Sequence, residues 1–386
     1  MPLDPEAVLP DTLLEEIRSR AVGYDERNEF PHEDFDALVA VDYLKAFVPQ
    51  AEGGLGAGLA DVVRLQRRLA AAAPATALAV NMHLVWTGVA KVFADRGDAS
   101  LDFVLREAAA GEVFAFGISE AGNDFVLFDA NTVAEPTHDG GYLLTGTKIF
   151  TSLAPVWTRL GTFGKDASGD EPCLVYGFVD RDAPGWRHVE DWDTLGMRAS
   201  QSYSTVLEGA VLRPERVIRR IPVGPSPDLL IFAIFACFET LLAAVYTGIA
   251  ERGLELAVAA AHRRKSARNG GRPYAQDPDI RWQVAEMGLA VDAILPQLGT
   301  VAADVDALVD RGPRWFPALS GLKHRATETA RAVLDGAMRV GGGAAYFRGS
   351  ELERLYRDAA AGVYHPSDPE SAHASVAAAL LGPLED

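Results

Sequence analysis

Cysteine is nearly missing from this sequence. Two occur among 386 residues, Cys173 and Cys237, and they form no CxxC pair. That excludes a disulfide-built scaffold and fits a reducing, cytoplasmic setting. Both lie in apolar runs and read as small core residues. Positive charge is also short. Lys and Arg number 36 against 54 Asp and Glu, a net charge of −18. Nucleic acid is therefore not the expected partner, because phosphate backbones call for a positive footprint. The N-terminal stretch is acidic and lacks the apolar segment of a signal peptide. No Walker A, Rossmann GxGxxG or HExxH motif occurs, and no His, Cys and carboxylate set has metal-ligand spacing, so no metal is expected. One apolar run, "LLIFAIFACFETLLAAVYTGIA" at 229–250, is long enough to cross a bilayer. It carries Glu239 near its middle and has no second span beside it. It reads as a helix buried in a soluble bundle, with no membrane partner.

What is present falls into three textures. Residues 1–112 place apolar residues at helical spacing, broken by the Gly-rich "VPQAEGGLGAG". Residues 113–224 switch to short runs rich in β-branched and aromatic residues, split by Gly, Pro, Asp and Asn. That predicts a β-domain of about seven strands, a barrel or a sandwich. Residues 225–386 return to helical period, with segments at 229–264, 276–311, 316–340, 350–361 and 369–381. Four long helices with short connections predict an antiparallel four-helix bundle. Asp368 before Pro369 reads as an N-cap followed by proline at the first helical position. The expected class is thus α+β, in the order helical domain, β-domain, helical bundle.

Five stretches carry possible chemistry. In "FGISEAGND" (116–124), Ser119 and Asn123 suit a phosphate or a heterocycle edge, or form an ordinary β-turn. "GTKIFTS" (146–152) puts hydroxyls at a strand end, suited to a flat cofactor, or is a routine strand end. In "DTLGMRASQS" (193–202), Arg198 suits a carbonyl or a phosphate, or is a surface arginine. "HRRKSARNGGR" (262–272) offers arginines to a pyrophosphate, or is a solvated helix end. The triple glycine of "RVGGGAAYFRGSELERLYRDA" (339–359) permits close backbone approach to a bulky ligand.

In their order along the chain these stretches resemble the acyl-CoA dehydrogenase superfamily, over nearly the whole length. "GISEAGND" is similar to the family's Thr-Glu-Pro-x-Ala-Gly-Ser-Asp loop, shortened by two residues. "LTGTKIFTS" is similar to its Gly-x-Lys-x-Trp-Ile-Thr strand, and "LGMRASQS" to its Gly-Met-Arg-x-Ser loop. "VGGGAAYFRGSELERLYRDA" matches, without gaps, its stretch ending in Arg-Asp-Ala. The resemblance implies FAD between the β-domain and the bundle. It places Ser119 and Ser152 at the flavin ring edge and Phe150 where the family has tryptophan against the ring. Asn123 falls on the serine that contacts the pyrophosphate. Arg264 and Arg339 fall on positions that reach the FAD of a neighbouring subunit, beside Gly342 and Gly343, although Ala267 replaces the family phenylalanine there. Shared sites imply a homo-oligomer, typically a dimer of dimers.

The family chemistry removes an α-proton from an acyl thioester, on coenzyme A or a carrier protein, and passes a β-hydride to flavin N5. An electron-acceptor flavoprotein then takes the electrons. Arg198 is the group expected to meet the substrate. The usual base is a glutamate shortly after Arg-Asp-Ala. Here that position is Pro366, preceded by His365. Some members carry the base on the first long helix of the bundle. That position is Phe238, with Glu239 one residue, about 100°, further round the helix. An apolar setting would raise the Glu239 pKa and suit it as a base, or it is a buried carboxylate paired with an arginine. His365 resembles instead the loop histidine of flavin-dependent monooxygenases on this fold, which take reduced FMN or FAD from a separate reductase, or it is a loop histidine that packs near Asp368. The expected reaction is the dehydrogenase one, with monooxygenation as the alternative and a non-catalytic, ligand-binding flavin fold as a third possibility.

Overall fold

The computed structural model describes residues 3–267 and 270–382. Arg268 and Asn269 of the basic stretch lie outside them. The chain opens with six helices: α1 (Pro5–Val8), α2 (Asp11–Arg27), α3 (His32–Ala40), α4 (Leu59–Ala72), α5 (Pro74–Asp95) and α6 (Asp102–Ala109). Eight strands follow: β1 (Phe114–Gly117), β2 (Val133–Pro136), β3 (Tyr142–Thr151), β4 (Arg159–Asp166), β5 (Cys173–Asp180), β6 (Trp186–Val189), β7 (Tyr203–Leu212) and β8 (Val217–Pro222). The bundle is α7 (Leu229–Arg263), α8 (Pro278–Asp306), α9 (Trp315–Gly341), α10 (Glu351–Ala360) and α11 (Pro369–Leu381).

The strands join in one sheet in the order β6-β7-β3-β2-β4-β5-β8, with β1 parallel to β4. β5 packs back against β7, so the sheet folds over its own core. Its junction with the first helices is tight. The Trp86 indole of α5 donates to Ala115 O at 3.0 Å. A Cβ on Gly161 of β4 would lie 2.2 Å from that indole, so only glycine fits there.

Three helices are long and apolar enough to cross a membrane. Two of them lie inside the protein: the most apolar windows of α5 and α7 are 89% and 83% buried. α7 packs on α4, α5, α8 and α9, which is why its sequence shows no polar face. The cap expected at Asp368 forms, accepting from Ser371 N at 2.7 Å. α8 stops short of the expected residue 311. Leu308 takes a left-handed conformation (φ 55°), and the Asp306 carboxylate turns to the first N–H groups of α4. Cys237 is buried in α7, and Cys173 is half-buried on β5.

Candidate functional site

The sheet and the bundle meet at a cavity of about 260 Å³. Ser119, Phe150, Ser152 and His365, which lie far apart in sequence, all line it. A buried ion pair holds the strand ends in place. Lys148 Nζ of β3 donates to Glu120 Oε1 at 2.7 Å, and Glu120 also accepts from the N–H groups of Asn131 and Thr132. Burial would raise the Glu120 pKa, but Lys148 and those donors outweigh it and hold it at about 2. Burial lowers Lys148 to about 8 against the pull of Glu120.

β3 loses register against β7 between Lys148 and Thr151, and Phe150 sits there at φ 59°. The irregularity turns Phe150 out of the sheet, where it stays 45% exposed. It meets Trp192 edge to face, with ring centroids 6.0 Å apart. The next residue but one, Ser152, bonds Ser202 Oγ at 2.7 Å, and Ser202 bonds Ser200 Oγ at 2.8 Å. The Ser119 carbonyl accepts Ile149 N–H at 2.9 Å, while its hydroxyl bonds no other described residue.

The Arg-Asp-Ala stretch supports the cavity from below. Arg357 is committed to Asp25, Glu353 and Leu195 O, all at 3.0 Å or less. Asp358 accepts Met197 N at 2.6 Å, and burial raises its pKa to about 6 against that bond. Gly196 is required here, because a Cβ on it would lie 2.2 Å from Arg357 O. Beyond Ala359 the chain passes through Tyr364, His365 and Pro366 along the cavity wall. Lys323 of α9 holds this turn by donating to the carbonyls of Gly362, His365 and Ser367 at 2.7–2.8 Å. His365 Nε2 pairs with the buried Tyr246 hydroxyl at 2.8 Å, and Nδ1 bonds no described residue. Burial, then the nearby Lys323 charge, lowers the His365 pKa to about 3, so the ring is neutral.

Glu239 lies just behind. It is fully buried, with Oε1 accepting Ser367 N at 3.0 Å and Ser367 Oγ at 2.8 Å. Burial raises its pKa, opposed by Lys323 and Ser367. It does not line the main cavity. It lines an adjoining one of about 180 Å³, which shares Phe116, Ser119, Phe238 and Pro366 with the first.

Several expected site residues stand elsewhere. Asn123 lines neither cavity. Its amide donates to Glu120 and Asp129 O, and its oxygen accepts Phe125 N, so it organises its own loop rather than offering itself to a pyrophosphate. Arg198 also lines neither cavity. Its guanidinium is committed to Asp25 O, Asp193 and Thr194 O, and the loop instead presents Gly196, Met197 and Ser202. Arg264, Arg339, Gly342 and Gly343 gather at the far end of α7 and α9. Arg264 donates to Val340 O and lies over the Tyr274 ring, and Arg339 pairs with Asp335. Trp192, Tyr246 and Lys323 were not anticipated. Tyr246 was hidden in an apolar run. Lys323 opens a Lys-His-Arg run that reads as a solvated helix face, so nothing in the sequence signalled its burial.

A slot with aromatic and aliphatic walls, hydroxyls along one edge and one unengaged hydroxyl at Ser119 suits a flat heteroaromatic ring. Fold and site together define a class of cofactor-binding oxidoreductase in which a sheet packs beside two helical layers that also pack on each other. Residues 9–96 match the family description "Acyl-CoA dehydrogenase, N-terminal domain", and residues 240–367 match "Acyl-CoA dehydrogenase, C-terminal domain". The chain is 32% identical over 368 residues to L-evernosamine nitrososynthase from a Micromonospora species, covering 91% of this chain and 83% of that protein. It is 28% identical over 372 residues to putative acyl-CoA dehydrogenase YdbM of Bacillus subtilis, covering 92% and 91%. The solved structure of KijD3 in complex with FMN and a dTDP-linked 3-amino-4-keto sugar superposes with a TM-score of 0.87 at 29% identity, over 99% of this chain and 95% of that one. The chain belongs to the acyl-CoA dehydrogenase superfamily of flavin-dependent oxidoreductases.

Proposed function

We propose that the protein is a flavin-dependent monooxygenase that takes reduced flavin from a separate reductase. The carrying observation is the main cavity's wall. Among the described residues no carboxylate lines it, and Pro366 stands where a dehydrogenase base would be. A thioester α-proton needs a base held close, and this cavity provides none of the usual kind. It provides neutral His365, fixed at Nε2 by Tyr246, with Nδ1 left to face a ligand.

The residues fit a flavin ring: Phe150 and Trp192 form an aromatic wall, and Ser119 and Ser152 offer hydrogen bonds to a ring edge. Reduced flavin, when bound, supplies electrons to oxygen. The chain's own part is to exclude water with apolar walls and to orient the substrate against His365. His365 then moves a proton at Nδ1. The similarity to L-evernosamine nitrososynthase and to KijD3 with FMN supports this reading over the thioester one.

The test is oxygen uptake by the purified protein with a flavin reductase, NADH and FMN, beside an anaerobic titration of flavin-loaded protein with an acyl-CoA panel. Substrate-dependent oxygen use is expected, with His365→Ala about 10²-fold slower. Bleaching of the flavin by an acyl-CoA would establish the dehydrogenase reaction instead. No response in either arm would leave a ligand-binding protein.

A further inference from the structure

The adjoining cavity has a composition of its own. Its walls are aromatic and aliphatic, with Phe116, Phe125, Phe128, Phe235 and Phe238 prominent. Two carboxylates line it, Glu239 in its depth and Asp124 at its exposed rim. No Lys, Arg or His is among its described lining residues. The main cavity adds one arginine, Arg357, which is already tied to Asp25 and Glu353. A nucleoside diphosphate or a coenzyme A pyrophosphate would find no free cation in either.

Among the fully buried polar side-chain atoms of the adjoining cavity's described lining residues, one has no partner. Glu239 Oε2 is buried and makes no hydrogen bond, while Oε1 is held by Ser367. A buried acceptor left unmade is costly, and a ligand donor would relieve it. Lys323 does not serve. Its three N–H donors all go to the carbonyls of residues 362, 365 and 367. Its positive charge nonetheless acts on Glu239, so what Oε2 lacks is a hydrogen bond rather than a counter-charge. A neutral donor fits better than an ammonium.

We propose that this cavity binds a phosphate-free, apolar substrate carrying a neutral N–H, with Glu239 Oε2 accepting that N–H. The inference rests on the monooxygenase reading for what is then done to the substrate. The ligand class departs from the thioesters of the dehydrogenases and from the nucleotide-linked sugar of KijD3. Glu239 thereby becomes the group that selects for nitrogen.

Indole and benzofuran differ by N–H against O at nearly equal size, and calorimetry on the full chain compares them with thymidine diphosphate. Indole is expected to bind at least about tenfold more tightly than benzofuran, and thymidine diphosphate not to bind. In Glu239→Gln the amide keeps an acceptor for Ser367 but turns a donor to the cavity. The indole preference should then vanish while benzofuran binding stays. Equal affinities in the unaltered protein, a preference that survives in Glu239→Gln, tighter thymidine diphosphate binding, or no binding of any probe would each overturn the proposal. The first comparison needs no variant, so misfolding of Glu239→Gln cannot mask it. Neither reductase nor oxygen is present, so its failure is separate from failure of the oxygen-uptake test.

Discussion

His365 is useful only because of what surrounds it. A free histidine titrates near 6.5 and would be partly charged in a neutral cell. Here burial, then Lys323, brings it to about 3. Its folded pKa lies below the unfolded one. The stability it contributes is therefore full above about pH 6.5 and is lost as pH falls toward 3. For catalysis the same shift keeps the ring neutral in mild acid. The His365-dependent limb of kcat should fall below about pH 5, and a limb near 6.5 would show the ring titrating as in water. Tyr246→Phe removes the hydroxyl that orients Nε2 but keeps the packing. A kcat about tenfold lower with KM nearly unchanged is expected, with the acid limb where it was. A change in KM alone would make Tyr246 a packing residue only. The sequence pointed to His365 because Pro366 displaced an expected glutamate. It hid Tyr246, 119 positions away, because a tyrosine in an apolar helix reads as core.

At the scale of elements, the site depends on two strand ends being held in one place. Glu120 after β1 and Lys148 in β3 form that clamp at 2.7 Å, with both side chains nearly inaccessible. Removing one partner leaves a buried charge. Lys148→Met should destabilise the protein by about 3–5 kcal/mol, read from the urea midpoint at unchanged m. Adding Glu120→Gln should recover only part. The new amide would still face the N–H donors of Asn131 and Thr132 with one oxygen where the carboxylate has two. Full recovery would mean that the pair, not the loop behind it, sets the cost. The helices themselves were legible from period and caps, as at Asp368 and Pro369. The irregularity at Phe150 was not: register depends on β7, some fifty residues on, and no local pattern announces it. The same holds for Arg198 and Asn123. Their side chains suit a ligand as readily as a loop, and only the distances to Asp193 and Glu120 decide.

For the whole molecule, α8 poses the open question of surface. It is apolar enough to count as buried, yet only 28% of its most apolar window is covered. Trp282 and Leu289 are 73% and 68% exposed. They stand seven residues apart, about two turns, and so share one face. Large side chains aligned this way on a helix of a well-packed protein mark a contact surface. The family resemblance implies a homo-oligomer, and we propose α8 as the face for it. Light scattering should give a mass that is a multiple of the 41.3 kDa chain. Trp282→Glu with Leu289→Lys should lower that mass without changing the helical signal, since neither side chain supports the core. Arg264 and Arg339 sit outside both cavities, and they bear on a flavin only if a second copy brings one to them. Flavin affinity should therefore fall together with the mass in that variant. An unaltered protein that runs as a single chain, or a dissociated variant that keeps its flavin, would confine the site to the cavities described within one chain.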